Sequence, residues 1–309
     1  MPPAPPIPVS VAMFAYNESV GIQASLDVLR ASAAAAPHAK VTAHVLINGC
    51  TDDTEAVVRA YATQAPEIIP VVIKRGDKAN AWNIYTHEIA PLDAVMHVFT
   101  DGDIAMSVGS IAGFLGRFAA LPEANGCAAL PRGGHSEAAF RDKLIRNHEM
   151  AGGLYAVRGS CIAAFRAKGV RLPFGMFGED GLVSTLIKYD LDTKGTINHA
   201  RITTCDTAFF DYESLSPWNP RDWRIYRNRR MRYAVRRQQA NMIYPLLYEQ
   251  GVEAMPAHVI DLYRARHALM EFGWNGIDTY FDWIAHKRIR RDIAADDRAK
   301  LDERAHLYS

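Results

Sequence analysis

The sequence predicts an α/β fold built on a mainly parallel sheet. Three observations support this. Buried-strand runs alternate with helical segments from residue 9 to about residue 150, the strands end in polar residues, and none of those ends carries a glycine-rich phosphate cradle. Strands and helices that alternate in this way need right-handed crossovers and give a sheet covered on both faces. In such sheets ligands bind beyond the carboxyl ends of the strands.

Residues 1–8 form a Pro-rich lead expected to stay extended. Residues 9–16 (VSVAMFAY) read as the first strand, 19–36 as an Ala-rich helix and 41–47 (VTAHVLI) as the second strand. Thr51 or Asp52 can cap a helix running to about residue 64; residues 68–74 form a third strand and 78–89 another helix. A fourth strand lies within residues 94–104. A helix over 107–120, a short strand over 126–130 and a helix with a charged face over 136–150 follow. Past residue 241 the segments 241–255, 256–271 and 276–291 carry apolar residues at helical spacing, so a helical cap or dimerisation element is expected, in which Trp274, Tyr280, Phe281 and Trp283 can serve as core or as an acceptor groove. The last stretch, residues 292–309, reads as a charged tail.

A chain of 309 residues, 49% of them hydrophobic, can bury a sizeable core, which excludes a disordered protein. A formal net charge of +1 gives no global attraction to nucleic acid or an anionic membrane, although residues 221–237 are strongly basic. The four cysteines, Cys50, Cys127, Cys161 and Cys205, are far apart without CxxC spacing, so neither a zinc site nor a disulfide framework is indicated and a reducing cytosol is the simplest home. The N-terminus lacks a positive n-region and an apolar h-region, and no apolar run reaches transmembrane length. The expectation is a cytoplasmic protein, at most peripheral at the inner face of a membrane.

The densest chemistry lies in residues 94–104, AVMHVFTDGDI. Val95, Met96, Val98 and Phe99 give a buried strand that stops at Thr100, and Asp101 and Asp103 flank Gly102. Two carboxylates held at a strand end are hard oxygen ligands suited to Mg²⁺ or Mn²⁺, while the same Asp-Gly-Asp also suits a plain turn before a helix. Strand one ends in Tyr16-Asn17-Glu18 and strand two in Asn48-Gly49-Cys50-Thr51-Asp52, so three strand ends carry polar groups to one rim. Neither GxGxxG nor GxxxxGK[ST] occurs. A metal on Asp101 and Asp103 would then neutralise a diphosphate, which favours a nucleotide over a dinucleotide.

Seven segments in order resemble the family 2 glycosyltransferases of the GT-A, nucleotide-diphosphosugar transferase, fold. AYNES resembles the A-Y-N-E opening, INGCTDDT the D-D-G-S-T-D-x-T segment, DKANAWN the K-G-x-A-x-N segment and FTDGDI the metal-binding D-x-D. GSCIAAFR resembles the acceptor-side strand before the base, FGED the E-D motif, and Arg229-Arg230-Met231-Arg232-Tyr233 the Q/R-x-x-R-W motif. The match runs over about residues 8 to 235. It implies a catalytic domain over 9–240, with 9–104 as its nucleotide-binding half and 105–240 as its acceptor half, followed by a helical extension over 241–309.

Carried over residue by residue, the resemblance implies that Ala15, Tyr16 and Glu18 line the nucleoside pocket, Tyr16 stacking on the base. Ile47 and Asn48 replace the family's paired acids, and because an Asn amide both donates and accepts, the base being read stays open. UDP is the family's commonest donor nucleotide, with GDP and dTDP as alternatives. Lys78 fits a diphosphate or base-edge contact or an exposed helix start. The resemblance puts Asp101 on ribose or metal, Asp103 on the metal, and His199 as a candidate third ligand or else a surface strand residue.

Asp180 takes the place of the inverting general base with Glu179 beside it, at the start of a helix whose dipole favours their charge. The flanking glycines of GMFGEDGL allow close approach to a ligand. Residues 217–239 hold eight arginines interleaved with Trp218, Trp223, Tyr226 and Tyr233. Arg229 and Arg232 can clamp the leaving diphosphate, with Tyr233 against the acceptor; as an amphipathic helix the stripe can rest on anionic lipid; as an Arg-aromatic stripe it can bind RNA or DNA, the main non-enzyme reading, in which the GT-A-like scaffold is catalytically silent. Expected partners are a nucleotide-sugar donor, an unidentified saccharide, lipid-linked or small-molecule acceptor, a peripheral membrane contact and a second copy through the C-terminal helices, with nucleic acid disfavoured.

Overall fold

In a computed structural model of the chain, residues 5–134, 136–211, 220, 223–271, 273–274 and 276–295 are described. Trp218 and Arg221 of the basic stripe, residues 1–4 of the Pro-rich lead and the tail beyond residue 295 lie outside the described residues.

The strands β1 (Ile7–Ala15), β2 (Ala39–Asn48), β3 (Ile68–Ile73) and β4 (Met96–Asp101) form the parallel half of one sheet, with order β3-β2-β1-β4. It continues through β6 (Leu154–Arg158), β5 (Gly126–Arg132) and β7 (Ile202–Asp211) to seven strands, in which β6 alone runs antiparallel to its neighbours. All four strands of the first half are near their expected bounds. Val11, Met13, Val45 and Val98 face one side of the sheet, and Ala12, Phe14, Leu46 and Phe99 the other; every one is buried, as the near-continuous apolar runs of a doubly covered sheet require.

Against the first face pack α1 (Ile22–Ala34), α2 (Thr54–Ala62), α4 (Ser110–Ala120) and α5 (Glu137–Asn147), whose Leu26, Val58, Phe114 and Leu144 join its core. The other face carries α3 (Lys78–Ile84), α6 (Gly159–Lys168) and α7 (Glu179–Lys188). Here Phe99 stacks on Tyr155 at 4.9 Å, and Trp82 meets Phe165 edge-on at 5.1 Å. The expected helix over 78–89 divides into α3 and a π-turn, Tyr85–Ile89, which turns the Tyr85 hydroxyl into the sheet: it donates to Ser10 Oγ at 2.7 Å and is hydrogen-bonded to His97 Nδ1 at 2.8 Å.

One expectation is overturned. GSCIAAFR is the helix α6, and the strand is β6 before it. The strand must stop because Arg158 already pairs with Met96, the first residue of β4, and Gly159 N–H closes on Val95 O at 2.8 Å; Cys161, Ile162 and Phe165 are then buried at helical spacing.

The C-terminal chain is less separate than expected. The helix α8 (Trp223–Gln250) runs straight through residue 240, and its Met242, Ile243 and Leu247 belong to the same core as Phe14 and Phe99. Then α9 (Val259–Arg266) packs back on that core, while α10 (Asp278–Ala295) lies along α8. No described helix is long and apolar enough to cross a membrane.

Candidate active site

The ends of β1, β2 and β4 open into a cavity of about 980 Å³, closed on its far side by α7, α8, α9 and α10. Its first wall is laced together by the loops after β1 and β2. Asn17 Oδ1 accepts from Thr51 N–H at 2.8 Å, Thr54 Oγ1 from Glu18 N–H at 2.8 Å, and Asp52 Oδ2 from Ser19 N–H at 3.1 Å. The INGCTDDT segment therefore props the AYNES loop from behind, and Asp52, whose carboxyl is held below the usual range by these donors, chiefly Thr54, is a strut. Tyr16 projects from this loop into the cavity with 58% of its surface exposed, as a stacking platform must, and Ala15 lies buried beneath it. Asn48 Oδ1 accepts from Asp77 N–H at 3.1 Å, which leaves its amide NH₂ as the group offered to a ligand.

Asp101 is the last residue of β4. Gly102 donates its N–H to Phe14 O at 2.7 Å, and a side chain there would come within 3.0–3.2 Å of Ile22 and Ala15. This close approach brings Asp103 beside the loop after β1. The crowding bears on Glu18, whose carboxyl is pushed up to about 7 by burial and by Asp103, Asp101 and Asp52. Asp101 is likewise pushed up to about 6 by burial, although Lys78 opposes it. Crowded hard carboxylate oxygens fit a divalent cation. Among the described residues no group of three or more His, Cys, Asp or Glu is placed to enclose a metal, so water and a diphosphate would have to complete the shell of an ion on Asp103 and Asp101.

Lys78 joins the two walls. At the first position of α3, capped by Asp77 Oδ1 accepting from Asn80 N–H at 2.7 Å, it sends Nζ to Asp101 at 2.6 Å, Glu179 at 3.0 Å and Gly152 O at 3.3 Å. Burial works against its charge, but Asp101 and Glu179 hold its pKa above the usual lysine range. Asp77 also accepts from Gly175 N–H at 2.8 Å, a second tie between the halves, and burial pushes its carboxyl up to about 6.

The second wall is built around α7. Asp180 Oδ2 accepts from Gly152 N–H at 3.0 Å, and Oδ1 accepts from Gly181 N–H at 2.9 Å and pairs with Arg236 Nη2 at 3.1 Å. The glycines around this pair make room for protein rather than for ligand. Gly178 has φ +77°, and a Cβ on it would stand 2.2 Å from Arg236 Nε; one on Gly181 would stand 2.9 Å from Arg236 Nη2. Arg236 is the residue that the sequence reading missed. It falls four positions after Arg232, one helical turn along α8, and that i, i+4 spacing in RRMRYAVRR is the signal that could have found it.

Of the expected site residues, Ala15, Tyr16, Glu18, Asn48, Lys78, Asp101, Asp103, Glu179, Asp180 and Arg232 line this one cavity. Two do not. Arg229, three residues before Arg232 on α8 and half-buried, is not among the residues that line it. His199 sits exposed in the turn His199–Arg201 before β7, 5.1 Å from the His148 ring, and is withdrawn as a metal ligand. Tyr233, Phe177, Tyr263, Arg288 and Arg291 complete the helical side.

No family model and no curated protein sequence matches the chain. Solved structures do. The mannosyltransferase PcManGT of Pyrobaculum calidifontis, determined with GDP-Man and Mn²⁺, superposes on 94% of this chain and 75% of its own, with a TM-score of 0.56 at 18% identity. The chain has the GT-A glycosyltransferase fold. TarS residues 1–349 of S. aureus, in complex with UDP-GlcNAc, superposes on 94% of this chain and 92% of its own, with a TM-score of 0.50 at 11% identity. In GT-A terms the acid-lined strand ends form the first wall, and α7 with the helices behind it forms the second.

Proposed function

We propose that the cavity is the active site of an inverting, family 2-type glycosyltransferase, which moves a sugar from a nucleoside diphosphate, UDP being the expected carrier, to an acceptor hydroxyl. One observation carries the reading: Asp101 and Asp103 at the end of β4 and Glu179 and Asp180 at the start of α7 line a single cavity, with Lys78 bridging Asp101 to Glu179. The complexes of the two similar structures with GDP-Man and with UDP-GlcNAc support a nucleotide-sugar donor and leave the base open.

Tyr16 stacks on the base while Ala15, Glu18 and Asn48 border the nucleoside. Asp103 and Asp101 would hold a divalent ion, which would supply Lewis-acid stabilisation of the departing diphosphate. Arg232, exposed in the cavity and without an ion pair among the described residues, is placed to take charge on the same group. Arg229 has no such access. The acceptor oxygen forms its bond to the anomeric carbon as the bond from that carbon to the diphosphate oxygen breaks, and its proton passes to Asp180. A single displacement of this kind inverts the anomeric centre.

The donors around Asp180 fix its direction, and Oδ2 keeps a lone pair beyond the one used by Gly152. Glu179, tied to Lys78, orients the pair.

The test is transfer or hydrolysis of nucleotide sugars with Mn²⁺ by wild type and Asp180→Asn. The substitution should cut transfer by about 10³-fold, within the range for a lost general base, while donor affinity is kept. Wild-type rates in Asp180→Asn would remove the proposed base.

A further inference from the structure

The outer surface of α8 and α10 has no part in the chemistry above. The two helices lie side by side and run in the same direction, the start of α10 about two turns along α8, since Arg230 pairs with Asp278 at 2.6 Å and Arg237 with Asp282 at 2.7 Å. Ala234, Val235, Phe281 and Ala285 fill the seam between them. This seam uses only one face of α10. On the opposite face Tyr280, Trp283, Lys287 and Arg290 follow one another at spacings of three and four and are all exposed, and Ile277 and Trp274 extend the stripe past the helix start with 62% and 90% exposure. The first turn of α8 adds Trp223 and Ile225, 59% and 47% exposed, beside the exposed Arg224 and Arg227.

Along the two helices that form this surface, acids are few. From Trp223 to Tyr248 the α8 sequence has seven arginines and no acid, while all three acids of α10 between Asp278 and Asp292 are paired to arginines. A stripe with aromatic and aliphatic side chains at one end and Lys and Arg along the rest is complementary to the headgroup region of an anionic bilayer, where rings sit at the interface and cations meet phosphates. Exposed Ile225 and Ile277 gain from the acyl boundary and little from a polynucleotide, whose bases would stack on rings. A second copy seated here would bring the two sets of arginines together.

We infer that the outer face of α10 with the first turn of α8 is a peripheral docking surface for anionic phospholipid. The inference goes beyond the transfer reading and does not depend on it. Because α8 and α10 also supply Arg232, Tyr233, Arg288 and Arg291 to the cavity, docking sets that wall toward the bilayer.

The experiment is flotation of the full chain with vesicles of phosphatidylcholine alone or with about one-third phosphatidylglycerol, together with tryptophan emission, for wild type, Trp274→Ala/Trp283→Ala, Lys287→Glu/Arg290→Glu and, as a control, Leu92→Ala. Binding to the anionic vesicles with a blue shift, loss of binding at high salt, about tenfold or more weaker partition in the first two variants and none lost in the control is the expected result. All substituted side chains are exposed, so unchanged thermal unfolding certifies the variants. Failure of the wild type to bind anionic vesicles at low salt overturns the inference. So does binding that both variants retain, as does finding instead that the same substitutions abolish binding of single-stranded RNA or a concentration-dependent dimer while vesicle binding is unaffected. No readout uses a nucleotide sugar, so a failure here is separable from failure of the transferase reading.

Discussion

The two walls of the cavity differ in how their charges are held. On the strand-end wall, acids gather with few cations: Glu18, Asp101 and Asp103 crowd one another, and burial with this crowding pushes the Glu18 carboxyl up to about 7. On the helical wall each acid has its cation or amide in place, as with Asp180 held by Arg236, Gly152 and Gly181. The first wall is therefore arranged to be completed by a ligand's cation, and the second to hold one carboxylate in a fixed direction. Among the described residues, Lys78 is the one side chain whose ion pairs reach acids of both.

Each prediction removes one side of this contrast. After Asp180→Asn, the largest effect is expected from Asp103→Ala, which deletes an exposed acid of the first wall: transfer at saturating Mn²⁺ should fall about 10²–10³-fold, the scale for losing one electrostatic stabiliser of a leaving group. An unchanged rate with unchanged Mn²⁺ dependence would take the ion off this strand end. Lys78→Met should come next, at about 10²-fold on kcat, because Asp101 and Glu179 would face each other without the ammonium that sets their spacing. Full activity in that variant would mean that the walls are aligned by Asp77 and Gly175 alone.

Within the second wall Arg236→Ala and Gly178→Ala should resemble each other, since the first removes the guanidinium and the second drives a methyl into it. About tenfold slower transfer in both, with little change in donor affinity, is expected as Asp180 loses its fixed direction, and Gly178→Ala should also lose about 1–3 kcal/mol of stability at its left-handed backbone. If Arg236→Ala were as active as wild type, this ion pair would be a packing feature only.

The last effect is on stability rather than on transfer and lies in β4, the strand that carries Asp101. His97 is buried and its pKa is pushed down to about 4 by desolvation, Arg166 and His44. The unfolded chain, with histidine near 6.5, takes up a proton that the folded one refuses, so this stability is present above pH 6.5 and is lost as pH falls from there toward 4, by up to about 3 kcal/mol. Chemical denaturation at neutral pH and near pH 5 should show the loss in wild type and a flatter dependence in His97→Gln.

The contrast also explains what could be read without coordinates. The strand-end wall was legible because a strand's period fixes which face each residue takes and because topology fixes the rim at which it ends; Tyr16, Glu18, Asn48, Asp101 and Asp103 converge as expected. The helical wall was legible only where one segment carried it, as GEDG does. Arg288, Arg291 and Tyr263 reach the cavity from helices whose packing angle no local pattern encodes, and Arg229, expected beside Arg232, stays outside the lining. GSCIAAFR was misread because its apolar residues suit a strand or a short helix equally, and pairing with β4 decided between them.

The most direct test of the central claim is calorimetric titration of the wild-type chain with UDP and with GDP, each with and without Mn²⁺. The account predicts that at least one nucleotide binds, that binding strengthens when Mn²⁺ is present, and that Asp103→Ala removes the strengthening. Absence of binding by either nucleotide in the presence of Mn²⁺ would contradict the assignment of this cavity to a nucleotide sugar.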